Sequence, residues 1–509
     1  MDDKSAAMIA RFVGASPLAL ILVALGPTVS GAHVGSPDVI FDGKAGPYDV
    51  RVIVRVPMVV PGLADVVVRV LHGDAQRVFI RPVFWRSGVT GSPSPDAAKP
   101  VAGASSLYAG QLWLMARGAY SVYVTVEGAS GSGIVSVPVM SVATGRLGMS
   151  SELGVLLVAL GALLVVGLIT IVYAGAGESV VEPGRTLDRP RRRRARTIAL
   201  VAVPVVCLAV LGGARWWQSV DTQYLARMYR PLATRSSVTR LAGHPILRFE
   251  VIDSTGEALR LDPLMPDHGK LMHLFVIDSA RMTSFAHLHP LFDDSATFST
   301  TLPPLPPGRY RLFGDVTFET GQTRTLTGIV SLTRDDSVRA ADFIPPERDD
   351  AWTSAVGTMR HDHLATIDTL EDGSTMEWLA DSSSIHPRAE ATLHFRVRDP
   401  HGAVATLEPY LGMNAHAVIA RDDGSVFIHL HPAGTISVAA QEAFALRDRG
   451  DTTAKGRLRL GADTEGQHAM PMSGEFSLPY AFPRAGTYHV WVQVCRAGRV
   501  LTGAFDVVV

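Results

Sequence analysis

The chain has 509 residues, with 47 lysines and arginines against 48 aspartates and glutamates, for a formal net charge of −1. That length is too great for one ordinary domain and suggests about three, and the balanced charge gives no reason to expect nucleic acid or another strongly acidic partner. Its two cysteines, Cys207 and Cys495, lie far apart, which excludes a disulfide framework and a cysteine-based zinc site.

Residues 1–32 read as a secretory signal peptide. Arg11 precedes the apolar run Leu18 to Leu25, and Ser30-Gly31-Ala32 offers small residues for cleavage. Asp2 and Asp3 weaken the basic start, so an uncleaved anchor is the alternative. Cleavage after Ala32 exposes His33 as an N-terminus whose amine and imidazole can chelate Cu(II), or His33 merely follows the cleavage site. Residues 33–148 read as an all-β extracytoplasmic sandwich. Val50 to Val56 and Ala64 to Val70 alternate valine with charge, as half-buried strands do. Ser121 to Glu127 and Ile134 to Val139 continue the pattern, and the Gly/Pro/Ser-rich stretch 87–105 reads as a loop.

Leu153 to Tyr173 is an unbroken apolar stretch of 21 residues, long enough for a transmembrane helix. Ile198 to Ala214 is a second apolar run, ending in the paired Trp216 and Trp217 that suit a membrane interface. The segment between them, 174–197, carries Arg189 and the run Arg191 to Arg194. By the positive-inside rule it is a basic cytoplasmic loop. The topology then places residues 33–150 and everything after Asp221 on one outer side. In a bacterium that is the periplasm or cell exterior, with the chain held in the inner membrane.

Of 17 histidines, only His33 and His72 precede residue 240. The rest, His361 apart, fall in a duplicated β unit, 241–332 and 363–509, joined by a charged linker at 333–362. Each unit has a strand (Pro245 to Asp253; Ala391 to Asp399) and then a Gly-x-x-x-His element, Gly269 to His273 and Gly412 to His416. A Phe-x-His-Leu-His-Pro follows in each, at Phe285 to Pro290 and Phe427 to Pro432. Residues two apart on a strand share a face, so each His-x-His presents two imidazoles side by side. A hairpin turn within Ser279 to Thr283 puts His273 near His289. One at Asp422 to Ser425 puts His416 opposite Leu430 or His431. The first loop is one residue longer, which a β-bulge can absorb.

The candidate metal ligands are therefore His273, His287 and His289, and His416, His429 and His431. Three neutral imidazoles suit copper or zinc. The competing account is a recurrent strand-ending corner with hydrogen-bonded imidazoles, since duplicated sandwiches repeat structural motifs as readily as ligands. Met265, Met272, Met282, Met413, Met470 and Met472 share this half of the chain. As exposed thioethers they can assist Cu(I); as core padding, the reading favoured for Met272 and Met413, they do not. His361 and His363 form a further His-x-His, read as solvated, and His244, His268, His386, His394 and His401 have no evident partner. Cys495 falls on the strand face opposite Tyr488 and is open to exposure. A Gly-x-Tyr opens a late strand at Tyr120, Tyr310 and Tyr488, matching the tyrosine corner of immunoglobulin-like sandwiches.

At Tyr410 to His416, Phe427 to Pro432, and Tyr480 to Pro483 leading to Trp491 to Val494, the two units resemble the YtkA-like and FixH-like family of small β-sandwich domains. The resemblance implies secreted or membrane-anchored proteins associated with copper handling, and a metal role for the six histidines. The first unit departs from it, with Asp267-His268-Gly269 where the second has Tyr410-Leu411-Gly412. The expected fold is mainly β, three immunoglobulin-like sandwiches plus two transmembrane helices. The expected function is sequestering or relaying metal, with a copper ion bound and no enzymatic activity. The expected partners are the membrane and other envelope or copper-handling proteins. An assembly protein that uses the sandwiches as docking modules is the alternative.

Overall fold

The structure, a computed structural model, describes residues 38–179, 182, 186–261, 263–294, 296–336, 343–354, 366–379, 385–460 and 471–509. The signal-peptide segment with His33, the His361/His363 pair and Met470 lie outside the described residues.

The chain is mostly β, in several antiparallel sheets, with two long apolar helices. The first eight strands are β1 (Asp38–Ala45), β2 (Tyr48–Arg55), β3 (Gly62–His72), β4 (Ala75–Phe84), β5 (Asp96–Val101), β6 (Ala104–Leu114), β7 (Gly118–Gly128) and β8 (Gly131–Ser141). They run in the order β1-β2-β3-β6-β5-β4-β7-β8. The two ends of that path meet, because a Cβ on Gly133 would lie 2.1 Å from the Ala45 carbonyl oxygen. The sheet thus wraps one core, built from alternate residues such as Val50, Val52, Val54, Val66, Val68, Val122 and Val124. The segment read as a loop contains β5, which fills the gap between β4 and β6.

Helices α1 (Ser151–Glu178) and α2 (Arg189–Ala226) form a hairpin whose apolar stretches bury nothing against the rest of the protein. Each is long and apolar enough to cross a membrane. The arginine run forms the first two turns of α2, which Asp188 caps through the Arg191 amide. The hairpin's two outer ends are tied together, Tyr229 N–H donating to Ala143 O at 2.8 Å and Arg146 pairing with Asp221 at 2.5 Å.

The first repeat unit follows: β9 (Ala233–Leu241), β10 (His244–Ile252), β11 (Leu264–Met265), β12 (His273–Asp278), β13 (Ser284–Leu288), β14 (Leu291–Phe292), β15 (Thr297–Thr301), β16 (Gly308–Phe318) and β17 (Thr323–Leu332). One sheet runs β14-β15-β10-β9. The other runs β11-β16-β12-β13, with β17 on β16. Strand β18 (Ala351–Ser354) belongs to the stretch read as linker and extends the sheet at β13.

The second unit comprises β19 (Ile367–Thr369), β20 (Thr375–Trp378), β21 (Ala391–Arg398), β22 (Thr406–Leu407), β23 (His416–Arg421), β24 (Phe427–Leu430), α3 (Val438–Asp448), β25 (Met472–Ser473), β26 (Glu475–Tyr480), β27 (Thr487–Arg496) and β28 (Arg499–Val508). Its main sheets are β19-β20-β21-β26 and β24-β23-β27-β28. All three corner tyrosines reach four residues back: Tyr310 Oη donates to Pro306 O, Tyr488 Oη donates to Arg484 O, and Tyr120 Oη accepts from Ala116 N–H.

The two units pack face to face. On β12 and β13, Leu274, Val276, Ala286 and Leu288 fill the first unit's own core, and on β23 and β24 Ala417, Ile419 and Leu430 fill the second's. The alternate residues face the neighbouring unit. Phe275, Phe285 and Phe313 meet Val418, Phe427 and Trp491, with Phe313 and Phe427 stacked at 4.2 Å and Phe285 and Trp491 at 4.9 Å. Both faces of these strands are thus buried, and each large side chain withdrawn from water contributes roughly 1.5–3 kcal/mol. This packing also buries Cys495, whose thiol lies 3.7 Å from a Glu408 carboxylate oxygen.

The N-terminal module closes on this pair. Asp42 N–H donates to Ala433 O, Thr435 N–H donates to Ile40 O, and Arg51 and Arg69 both pair with Glu390. Tyr123 is hydrogen-bonded to Asp448 on α3. The β modules before and after the helical hairpin therefore lie together on one side of it.

Candidate metal centre

The hairpin registers match those expected from the turns. Leu274 pairs with Leu288, which puts His273 across from His289; Ala417 pairs with Leu430, which puts His416 across from His431. Neither ladder carries a bulge. The extra residue sits in the first loop, where Met282 takes φ +54°.

The six expected histidines do not form two separate triads on separate modules. They occupy one end of the inter-unit interface and meet in a single cluster, joined by a seventh, His268. Ring centroids lie 5.1 Å apart for His273 and His429, 5.6 Å for His287 and His429, and 5.3 Å for His268 and His416. Two groups bring one ring nitrogen per residue within 4.8 Å of one another: His273, His287 and His289, and His268, His416 and His431. In the second group His268 stands where His429 was expected. His429 lies between the groups, 4.5 Å from His431 ring to ring. The six interface histidines are no more than 7% exposed.

His268 lies on no strand, so no periodicity marks it. It occupies a tight turn closed by reciprocal hydrogen bonds between Asp267 and Lys270, with φ +51°. Leu411, in the equivalent turn between Tyr410 and Met413, has φ +50°. The available signal was its place beside Gly269 at the head of the Gly-x-x-x-His element. His244, His386, His394 and His401 are exposed and belong to neither group. Among the described methionines, Met272 lies in the first unit's core, Met282 in the aromatic interface, Met265 against α3 and Met472 against the second unit's core.

The surrounding acceptors assign the ring protons. Asp267 O accepts from His273 Nε2 at 3.2 Å, and Ile436 O accepts from His431 Nδ1 at 3.1 Å. Asp350 Oδ1 accepts from His289 Nδ1 at 3.0 Å. His287 Nδ1 faces Gln493 Oε1 at 2.8 Å and Tyr410 Oη at 3.0 Å, the tyrosine proton being donated to Asp349 O. A carbonyl or carboxylate oxygen can only accept, so each of these four nitrogens carries the hydrogen and the ring's other nitrogen presents a bare lone pair. Two of those lone pairs, on His273 Nδ1 and His287 Nε2, face each other at 3.0 Å. A hydrogen bond there requires one ring to become a cation or to abandon its outer acceptor; a metal ion between them satisfies both.

The remaining inward nitrogens have no partner. They are His268 Nε2, His289 Nε2, both nitrogens of His416, His429 Nε2 and His431 Nε2. A buried polar atom left without a partner costs about 1–3 kcal/mol. Burial also holds the rings neutral. It pushes His273 and His431 down to about 4, opposed in each case by the Asp267 charge. It lowers His287, His289, His416 and His429 well below the usual imidazole range, with neighbouring histidines adding to the effect. Neutral imidazole is the ligand form.

Three carboxylates surround the cluster. Asp350 binds His289 and is raised to about 6 by burial. Asp315, whose Oδ2 lies 3.8 Å from His429 Nδ1, is raised to about 7 by burial, against a hydrogen bond from Thr325. Asp267 accepts from the Ala439 amide near the start of α3. These partners came from no histidine motif, but two had a positional signal. Asp315 pairs with His273 and Gln493 with His416 in the strand registers.

The environment is exchanged between the units. Gln493 of the second unit serves His287 of the first, and Asp315 of the first lies nearest His429 of the second. Tyr410 reaches back to His287, while His268 reaches forward to His416 and His431.

A family profile described as a domain of unknown function (DUF8832) matches residues 239–333 and 368–509, the stretches of the two units. No curated protein matches the chain. Among solved structures, the dimeric latent PorU of Porphyromonas gingivalis is 9% identical at a TM-score of 0.15, covering 93% of this chain and 34% of that one. A protein from Corynebacterium diphtheriae described as membrane anchored is 8% identical at a TM-score of 0.13, covering 93% of this chain and 94% of the other. The chain thus spans about a third of PorU, and neither likeness bears on the fold.

Proposed function

We propose that this chain is a membrane-anchored metal-binding protein, with copper its first candidate cargo, that sequesters or relays the ion at the histidine centre between its two repeat units. The observation that carries this reading is the proton assignment: outer acceptors occupy four rings and leave their lone pairs converging in a water-poor space. Metal-ligating histidines are held in that way, the second ring nitrogen donating to a carbonyl or carboxylate. An all-imidazole donor set suits Cu(II) first and Zn(II) next. Kinship with YtkA-like and FixH-like domains, which implies copper handling for six of these residues, belongs to the same proposal. So does binding without catalysis.

The bacterial inner membrane, with the β modules on its periplasmic or outer face, completes the reading. It is supported by the arginine run at the inner turn of the hairpin and by the joining of the β modules beyond the hairpin's other end. Other envelope or copper-handling proteins would be the partners.

One set of observations favours the docking alternative. The outer hydrogen bond of His287 to Gln493 also ties the two units together, and those of His273, His289 and His431 fix the Asp267 turn, the residue before β18 and the segment leading into α3. Titration of the full chain in detergent, after chelation, separates the two readings. Binding tighter than micromolar for Cu(II) or Zn(II), weakened by His289→Ala and by His431→Ala, is expected. No such binding, in a protein that melts cooperatively, overturns the metal reading and leaves the docking one.

A further inference from the structure

We propose that the two histidine groups form one dinuclear centre shared by the repeat units. His273, His287 and His289 hold one divalent ion, and His268, His416 and His431 hold a second, with His429 between them. The inference rests on the metal reading above and adds the number of ions, their proximity and the role of His268.

Three features carry it. Each group independently brings three ring nitrogens to within 4.8 Å of one another, and His273 Nδ1 and His287 Nε2 to 3.0 Å; ligands 2.0–2.1 Å from a tetrahedral ion stand about 3.3 Å apart, so binding draws the wider pairs inward. The groups abut rather than sit apart. Rings of His268 and His273, one from each, are 6.2 Å between centroids, and His429 lies 5.1 Å from His273 and 5.4 Å from His416. Carboxylates stand close as well, and two dications in a buried site need anions nearby. Asp350 lies against His289, Asp267 is 3.7 Å from His268 Nε2, and Asp315 is 3.8 Å from His429. Three imidazoles leave each ion an open position, and the His429 Nε2 atom, buried and without a partner, is placed to take one.

His268 makes the second site. His416 and His431 alone offer two ligands, and the third is supplied across the interface by a turn that in the other unit carries Leu411. Because Leu411 holds the same left-handed turn at φ +50°, His268→Leu keeps a side chain this turn already accepts.

The test uses the full chain in detergent, stripped with chelator, loaded with Cu(II) and separately with Zn(II), desalted, and assayed for metal per chain. Two equivalents are expected, together with a Cu(II) paramagnetic resonance spectrum broadened or silenced by coupling between the ions. His268→Leu is expected to retain one equivalent and to give the sharp spectrum of an isolated Cu(II), with its melting temperature in chelator unchanged or raised. One equivalent in the unaltered protein overturns the dinuclear centre and leaves the metal reading standing. Two equivalents with an uncoupled spectrum, or two retained in His268→Leu, overturn it likewise. No bound metal overturns both.

Discussion

At one end of the interface between the repeat units, Phe275, Phe285, Phe313, Val418, Phe427 and Trp491 interlock. Two residues further along the same six strands, and on the same faces, stand His273, His287, Asp315, His416, His429 and Gln493. The aromatic end matches stacked rings. The imidazole end buries bare lone pairs and six nitrogens without a partner. One pleat therefore holds a region that stabilises the fold and a region that costs it stability. Buried polar clusters that satisfy only their outer half are costly unless something fills the middle.

Acid should expose this difference most strongly. An imidazole held at about 4 in the fold but near 6.5 in the unfolded chain binds its proton more readily when unfolded. Stability is then complete above pH 6.5 and is lost as pH falls through 4, by roughly 3 kcal/mol for a fully expressed shift of this size. Asp315 and Asp350, raised to about 7 and 6, act in the opposite sense but are outnumbered by the imidazoles. Denaturant titrations in chelator between pH 7.5 and 4 should show a steep decline, shallower in His431→Leu and retained in Phe427→Ala. A pH-independent midpoint would contradict the neutral buried cluster.

Truncation of the aromatic end comes next. Phe427→Ala removes a ring stacked on Phe313 and packed against Phe275, and should cost about 3–5 kcal/mol, read as a lower midpoint with or without metal. The corresponding change at the other end should carry the reverse sign. His416→Leu removes two unpartnered nitrogens and should leave the metal-free protein as stable or more stable, by up to about 1–3 kcal/mol, while shrinking the rise in melting temperature that metal produces. Destabilisation of the metal-free protein as large as that of Phe427→Ala would erase the distinction between the two ends.

The smallest effect is expected at the outer partners. Asp350→Asn keeps an oxygen to accept from His289 Nδ1 but loses the charge, so metal affinity should fall by about tenfold, the lower end for such partners, with little change in fold stability. An unchanged affinity in competition against a chelator would show that Asp350 only holds the β18 edge in place.

What the amino-acid sequence determined by itself was periodic and local. Alternation identified the strands, the turn residues set both hairpin registers, and length with apolarity marked the helical hairpin. His-x-His placed each pair of imidazoles on one face. Such patterns depend on neighbours along the chain, so they can be read without knowing what packs against them. The tertiary structure decided what that face meets. Only the docking of one unit on the other turned two expected triads into one cluster and gave His429 a place between the groups. It also brought in Asp267, Asp315, Asp350, Tyr410 and Gln493 as partners. His268 shows the limit most plainly. A histidine in a turn has no periodicity to mark it, and it joins His416 and His431 only because two sheets about 10 Å apart, face to face, carry that turn across their shared edge.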